Sequence, residues 1–212
     1  MKRLNIFCGH YGSGKTNIAV NYAFYLKKQG YDTAIADIDI VNPYFRTKDS
    51  EAELTEAGIR VVSLPFANTN VDLPSLPSEV AFLVQNENVY GVFDVGGDDR
   101  GAYALGRYAP DISAEDNYDM FFVVNFYRPL TQTAENAVQV LREIENACSL
   151  RFTAIINNSN LGSSTTLQDV EDTAAEAEKL SSLTGLPLAF TSAEQSIAAE
   201  NMFPLKLQKK LF

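Results

Sequence analysis

Residues 9–16 read GHYGSGKT, a G-x-x-x-x-G-K-[ST] spacing in which three glycines precede a lysine and a threonine. Gly9, Gly12 and Gly14 free the backbone to turn successive N–H groups inward, and a following helix adds the positive end of its dipole. An anion with several oxygens, a phosphate chain, suits that cradle. His10, Tyr11 and Ser13 fill the remaining loop positions, and Asn17 follows the motif. Lys15 can reach β- and γ-phosphates, and the Thr16 hydroxyl can complete the shell of a Mg²⁺ ion.

Carboxylates occur where such a loop needs them. In IADIDIVNPYFR, Asp37 and Asp39 end an apolar run, and in VFDVGGDDR Asp94 ends another just before Gly96 and Gly97. At the C-terminal ends of neighbouring strands these acids can hold Mg²⁺ or orient an attacking water. Each acid taken singly also suits a turn or a helix cap.

The elements that must position these residues alternate along the chain. Leu4 to Cys8 is an apolar strand, and from Lys15 the pattern turns helical, with Ile18, Tyr22 and Leu26 on one face and Gly30 as the stop. Strands follow at 32–39, 59–64, 89–95, 120–125, 152–157 and 187–190. Helices fall at 48–57, before Gln85, after Arg100, at 131–147 and 167–183, with a terminal helix after the last strand. The strands are almost continuously apolar, as parallel strands covered on both sides are. The expectation is α/β: a single doubly wound, mostly parallel sheet of about seven strands with helices on both faces, forming one domain over 1–212.

Composition narrows the function. At 46% hydrophobic and 21% charged residues, the 212-residue chain can bury a full core. A net charge of −10 lacks the positive footprint that direct contact with nucleic acid or anionic lipid requires. No apolar run approaches the roughly 18 residues of a membrane span, and the first residues, MKRLNIF, are too short a run for a signal peptide. Cys8 and Cys148 read as buried thiols in a reducing compartment, so a cytoplasmic location is expected. One histidine and two distant cysteines make no zinc or iron–sulfur set.

The loop, the DIDIVNP segment after the second strand and DVGGDD after the fourth together resemble the MinD/ParA/CobQ-type P-loop NTPases. The likeness runs over nearly the whole chain, and FTSAEQSIAAENMFPL resembles that family's strand, turn and helix around adenine. It implies ATP and ADP as ligands with Mg²⁺, and places residues 9–17 on the nucleotide. Lys15 and Asp39 would be the catalytic residues, Lys15 on the phosphates and Asp39 positioning water. Thr16, Asp37, Asp39 and Asp94 would surround the metal, with Asp94 as the Walker B acid, and Asn157 would meet the base. The run Asn157 to Asn160 lacks the Lys and Asp of the guanine-reading Asn-Lys-x-Asp pattern, which favours ATP over GTP.

One position departs from the pattern. Dimeric members carry a lysine early in the loop that crosses to a partner's nucleotide, whereas His10 stands there in this chain. An imidazole is shorter and supplies no fixed cation at neutral pH. Arg46, Arg100 and Arg128 are candidates to replace it.

Two further segments can bind something else. Asn68, Asn70 and Asp72 alternate with apolar residues in a proline-stiffened loop, either converging on a cleft or satisfying their own backbone. Arg128, in NFYRPLTQT, can meet a phosphate or carboxylate. The resemblance then leaves two functions open: a slow ATPase switch that acts through a protein partner or self-association, or an ATP-dependent carboxylate-activating enzyme resembling dethiobiotin synthetase or cobyrinic acid amide synthase. The basic and apolar tail 203–212, with its proline, would make only a weak membrane anchor, and it is expected instead to pack on the sheet or on another subunit.

Overall fold

The computed structural model describes residues 1–38, 50–63, 78–97 and 99–207. Asp39, the 39–49 segment with Arg46, the loop carrying Asn68, Asn70 and Asp72, the Arg100 side chain and residues 208–212 lie outside the described residues.

The strands are β1 (Leu4–Cys8), β2 (Thr33–Ile38), β3 (Arg60–Ser63), β4 (Tyr90–Val95), β5 (Tyr118–Val124), β6 (Ala154–Asn157), β7 (Leu188–Glu194) and β8 (Phe203–Leu205). They form one eight-stranded sheet in the order β3-β2-β4-β1-β5-β6-β7-β8, and every pairing is parallel. The described helices are α1 (Lys15–Lys28), α2 (Glu51–Glu56), α3 (Ser78–Gln85), α4 (Asp99–Gly106), α5 (Ala109–Glu115), α6 (Ala134–Cys148), α7 (Leu167–Glu171) and α8 (Ala174–Thr184). None of them is long and apolar enough to cross a membrane.

The two-residue period of the strands divides the core in two. Leu4, Ile6 and Cys8 of β1, with Met120, Phe122 and Val124 of β5, face the layer that contains Leu105 of α4, Leu141 of α6 and Leu180 of α8. Phe7, Phe121 and Val123 face the other side, against Ile18, Tyr22 and Leu26 of α1. Both faces are dry, which is why the strand sequences are apolar at nearly every position.

At the N-terminal end of the strands Arg3 closes the structure. Its buried guanidinium donates to the carbonyls of Leu83, Val84, Asn86 and Val89 and pairs with Glu115. The end of α3, the start of β4 and the end of α5 are thereby held together, leaving the opposite sheet edge for the phosphate loop.

Several details differ from the sequence reading, among them a second helix, α5, where a single one was expected after Arg100. The expected acidic helix 167–183 is two helices, because Thr173 turns its hydroxyl onto the Val170 carbonyl at 2.7 Å and accepts from Asn157 Nδ2 at 2.9 Å. Helix α6 starts three residues after Thr131, which caps the carbonyl of Asn125 instead, and Thr133 becomes the N-cap. The expected terminal helix is, through residue 207, a turn and the eighth strand. Phe203 stacks on Phe190 at 4.8 Å and packs on Tyr22 and Tyr25, while Pro204, which lacks an N–H, is tolerated in an edge strand.

Candidate phosphate-binding site

The loop 9–16 leaves β1 at the centre of the sheet and enters α1. Gly14 occupies φ +84°, a left-handed conformation, and a Cβ there would also sit 2.3 Å from Asn158 Nδ2. Ser13 N–H donates to the His10 carbonyl at 3.1 Å and so closes the turn. The Lys15 ammonium, on a largely buried side chain, bends back across the loop and donates to the same carbonyl at 3.2 Å.

Register brings the acids to this loop. Asp94 lies beside Phe7 of β1 on one side and Asp37 of β2 on the other. Val92 packs on the α1 face whereas Phe93 and Val95 pack on the α6 face, so by alternation Asp94 and its neighbour Asp37 share the α1 face. There the Thr16 hydroxyl donates to Asp94 Oδ2 at 2.6 Å, with Asp94 buried and Asp37 half-buried.

The segment after β4 is built against the loop. A Cβ on Gly97 would lie 2.7 Å from Tyr11 N and 2.9 Å from Lys15 Nζ, so any side chain would fill the cradle. Gly101, in α4, likewise touches the Gly96 backbone closely enough that a Cβ would come within 2.6 Å. On the opposite flank Arg128 donates from Nε to the Gly12 carbonyl at 3.0 Å and rests its guanidinium against Gly12. His10 folds onto its own loop, with Nδ1 donating to the Tyr11 carbonyl at 3.0 Å. Tyr11 is exposed.

Asn157 is fully buried, its amide accepting from the Ser159 N–H and hydroxyl and donating to Thr173. In this arrangement it faces protein on the α6 side of the sheet, as Ile155 does. Its neighbour Asn158 faces the α1 side and reaches the loop, donating from Nδ2 to the Ser13 carbonyl at 2.7 Å and accepting from the Ser192 hydroxyl at 2.9 Å. Asn158 and Ser192 were not legible as site residues in the sequence. The strand alternation through Ile155 and Ile156 carries the signal that separates the two asparagines.

Cys8 stands at the foot of the loop. Burial pushes its thiol well up, and Cys148 adds to that while Lys15 opposes it, so it remains a thiol and not a nucleophile.

A glycine cradle, a lysine across it and a threonine hydroxyl bonded to a strand-end aspartate fit a nucleotide phosphate chain, and the bare Cα of Gly97 lets the segment after β4 lie against Tyr11 and Lys15. Fold and site define a P-loop nucleotide-binding α/β protein. The chain belongs to the CobQ/CobB/MinD/ParA nucleotide binding domain family, whose model matches residues 7–184. No curated protein matches it.

Solved structures share its fold at low identity. Cell division protein FtsY of Thermotoga maritima is 18% identical with a TM-score of 0.59, covering 97% of this chain and 66% of that one. Chloroplast FtsY of Physcomitrella patens is 16% identical with a TM-score of 0.62, covering 92% and 59%. Signal recognition particle receptor FtsY of Elizabethkingia anophelis in complex with GDP is 15% identical with a TM-score of 0.53, covering 92% and 58%. The chain thus spans less than two thirds of the length of these proteins, and the likeness is one of fold.

Proposed function

We propose that this chain, acting as one nucleotide-binding unit in the cytoplasm, binds ATP with Mg²⁺, hydrolyses it slowly and uses the γ-phosphate as a switch for association with a protein partner or a second copy. The observation that supports this best is the packing of Gly97 against Tyr11 and Lys15. The chain leaving Asp94 enters α4 directly beside the phosphate cradle, so a terminal phosphate held by Lys15 sets where that segment rests.

In this reading the loop N–H groups and Lys15 hold the phosphates. Thr16 would ligate Mg²⁺ and Asp94 would hold it through water, with Asp37 in its outer shell and Asp39 placing the attacking water. The metal supplies charge neutralisation at the phosphates. For Asn157 to meet adenine, its amide must exchange Ser159 and Thr173 for the base. ATP is preferred to GTP because Asn158 and Asn160 stand where a guanine site has Lys and Asp.

A second reading, the carboxylate-activating enzyme, is favoured by His10. Its imidazole is bonded within its own loop, and so is not extended toward another chain. The acid would then meet the loop carrying Asn68, Asn70 and Asp72.

Calorimetric titration with ATP, ADP and GTP, with and without Mg²⁺, followed by scattering mass in each state, tests both. ATP tighter than GTP with an ATP-only rise in mass supports the switch. Unchanged mass, with turnover only when a small carboxylic acid is added, supports the enzyme. Failure to bind any of the nucleotides overturns both.

A further inference from the structure

We infer that Asn158 is a positioning residue of the nucleotide site: its amide holds the Ser13–Gly14 peptide so that the Gly14 N–H is presented to phosphate. This rests on the chain binding a nucleotide through its phosphates.

The Ser13 carbonyl can only accept a hydrogen bond, so the Asn158 amide must turn its nitrogen toward it, and the 2.7 Å contact is then an N–H···O=C bond. The amide oxygen faces the Ser192 hydroxyl at 2.9 Å, which donates to it and opposes a flip of the amide. Asn158 and Ser192 are both buried, and the Asn158 main chain is itself anchored, its N–H on the Val124 carbonyl at 2.9 Å. Nothing in this set rotates freely.

The peptide between Ser13 and Gly14 is trans, since the described chain has no cis bonds. Its C=O and N–H therefore point in opposite directions. With the carbonyl drawn toward Asn158, the Gly14 N–H turns away from it, at the end of the loop that leads into Lys15. Gly14 permits this twice over: its φ of +84° suits glycine, and its bare Cα leaves room for Asn158. Ser192 sits near the end of β7, so the same bonds tie the loop to the far side of the sheet. A buried hydrogen-bonded set of this kind is expensive to break at one member.

Pyrophosphate separates this role from base recognition, because it carries phosphates and no base. Asn158→Ala is expected to weaken pyrophosphate and ADP by the same factor, about tenfold or more, the loss of one hydrogen bond to a charged group. In amide-resolved NMR the Gly14 N–H shifts strongly on pyrophosphate binding to the unaltered chain, and that shift is lost in the variant. Asn158→Asp, equal in shape but setting an acceptor and a negative charge against the Ser13 carbonyl, loses at least as much as Asn158→Ala. ADP weakened with pyrophosphate unchanged would assign Asn158 to the base and overturn the inference, as would wild-type affinity for both. Should Asn158→Ala fail to fold, Ser192→Ala decides: a smaller parallel loss for both ligands supports the role, and no loss overturns it. Absence of any pyrophosphate, ADP or ATP binding by the unaltered chain would instead overturn the nucleotide reading itself.

Discussion

The Thr16 hydroxyl donates its single proton to Asp94 Oδ2 at 2.6 Å, joining the first turn of α1 to the end of β4 across 78 residues of sequence. With that proton committed, the oxygen lone pairs are what Thr16 can offer to a cation. In the proposed role Asp94 would orient Thr16 toward the metal as well as add charge. Thr16→Val should keep the fold and remove most of the gain in ATP affinity that Mg²⁺ provides, and Asp94→Asn should reduce it about tenfold. Titrations with and without Mg²⁺ measure this, and an undiminished Mg²⁺ effect in Thr16→Val would show that the hydroxyl is not a ligand.

Gly97 tests the cradle from the other side. Its Cα lies so close to the loop that the methyl of Gly97→Ala would meet Tyr11 N at 2.7 Å and Lys15 Nζ at 2.9 Å. Either Lys15 or the segment after β4 must yield. Nucleotide affinity is expected to fall about tenfold or more while thermal stability drops by roughly 1–3 kcal/mol, the usual cost of overpacking. Equal affinity for ATP in the variant would place the phosphates elsewhere.

Arg128 is a described cation beside the loop, and in the proposed switch it would take over from the lysine whose place His10 holds. Its Nε bond to the Gly12 carbonyl keeps the guanidinium on the loop's rim. Arg128→Ala should slow ATP hydrolysis at saturation, or weaken ATP-dependent self-association, by about tenfold while changing ADP affinity little. Arg128→Lys should not restore it, because an ammonium cannot bond the carbonyl through Nε and still present a fork of donors. Single-turnover rates and scattering mass read the two effects.

Lys15→Ala should abolish most nucleotide affinity, whereas Asp39→Ala should slow hydrolysis and spare binding. Hydrolysis by Asp39→Ala at the unaltered rate would remove Asp39 from the reaction.

Tyr22, on the buried face of α1, provides a pH handle on the helix that carries Lys15 and Thr16. Burial pushes its phenol up to about 12, with Asp119 and then Tyr25 acting in the same direction. An unfolded tyrosine ionises near about 10. Between those values the unfolded chain releases a proton that the folded chain keeps, so the contribution is whole below about pH 10 and is lost as pH rises toward 12. The loss is at most about 3 kcal/mol. Tyr22→Phe should flatten that decline, as urea midpoints across this range would reveal.

Much of this protein was legible in the residues alone. The glycine spacing, the lysine and threonine after it and the aspartates ending apolar runs are local signals, each created by chemistry within a few neighbouring positions. Near-continuous apolar strands alternating with helices likewise declared a parallel sheet covered on both sides. What local pattern left undetermined was which long-range neighbours each strand end acquires. The order β3-β2-β4-β1-β5-β6-β7-β8 seats β4 against β1, and only that pairing sets Asp94 beside Thr16. The terminal segment was read as a helix, and packing of Phe203 on Phe190, Tyr22 and Tyr25 made it a strand instead. Asn157 and Asn158 have identical side chains at adjacent positions. The sequence determined that an asparagine ends β6, and the tertiary structure decided which one reaches the loop, because successive residues of a strand face opposite sides and only one side carries α1.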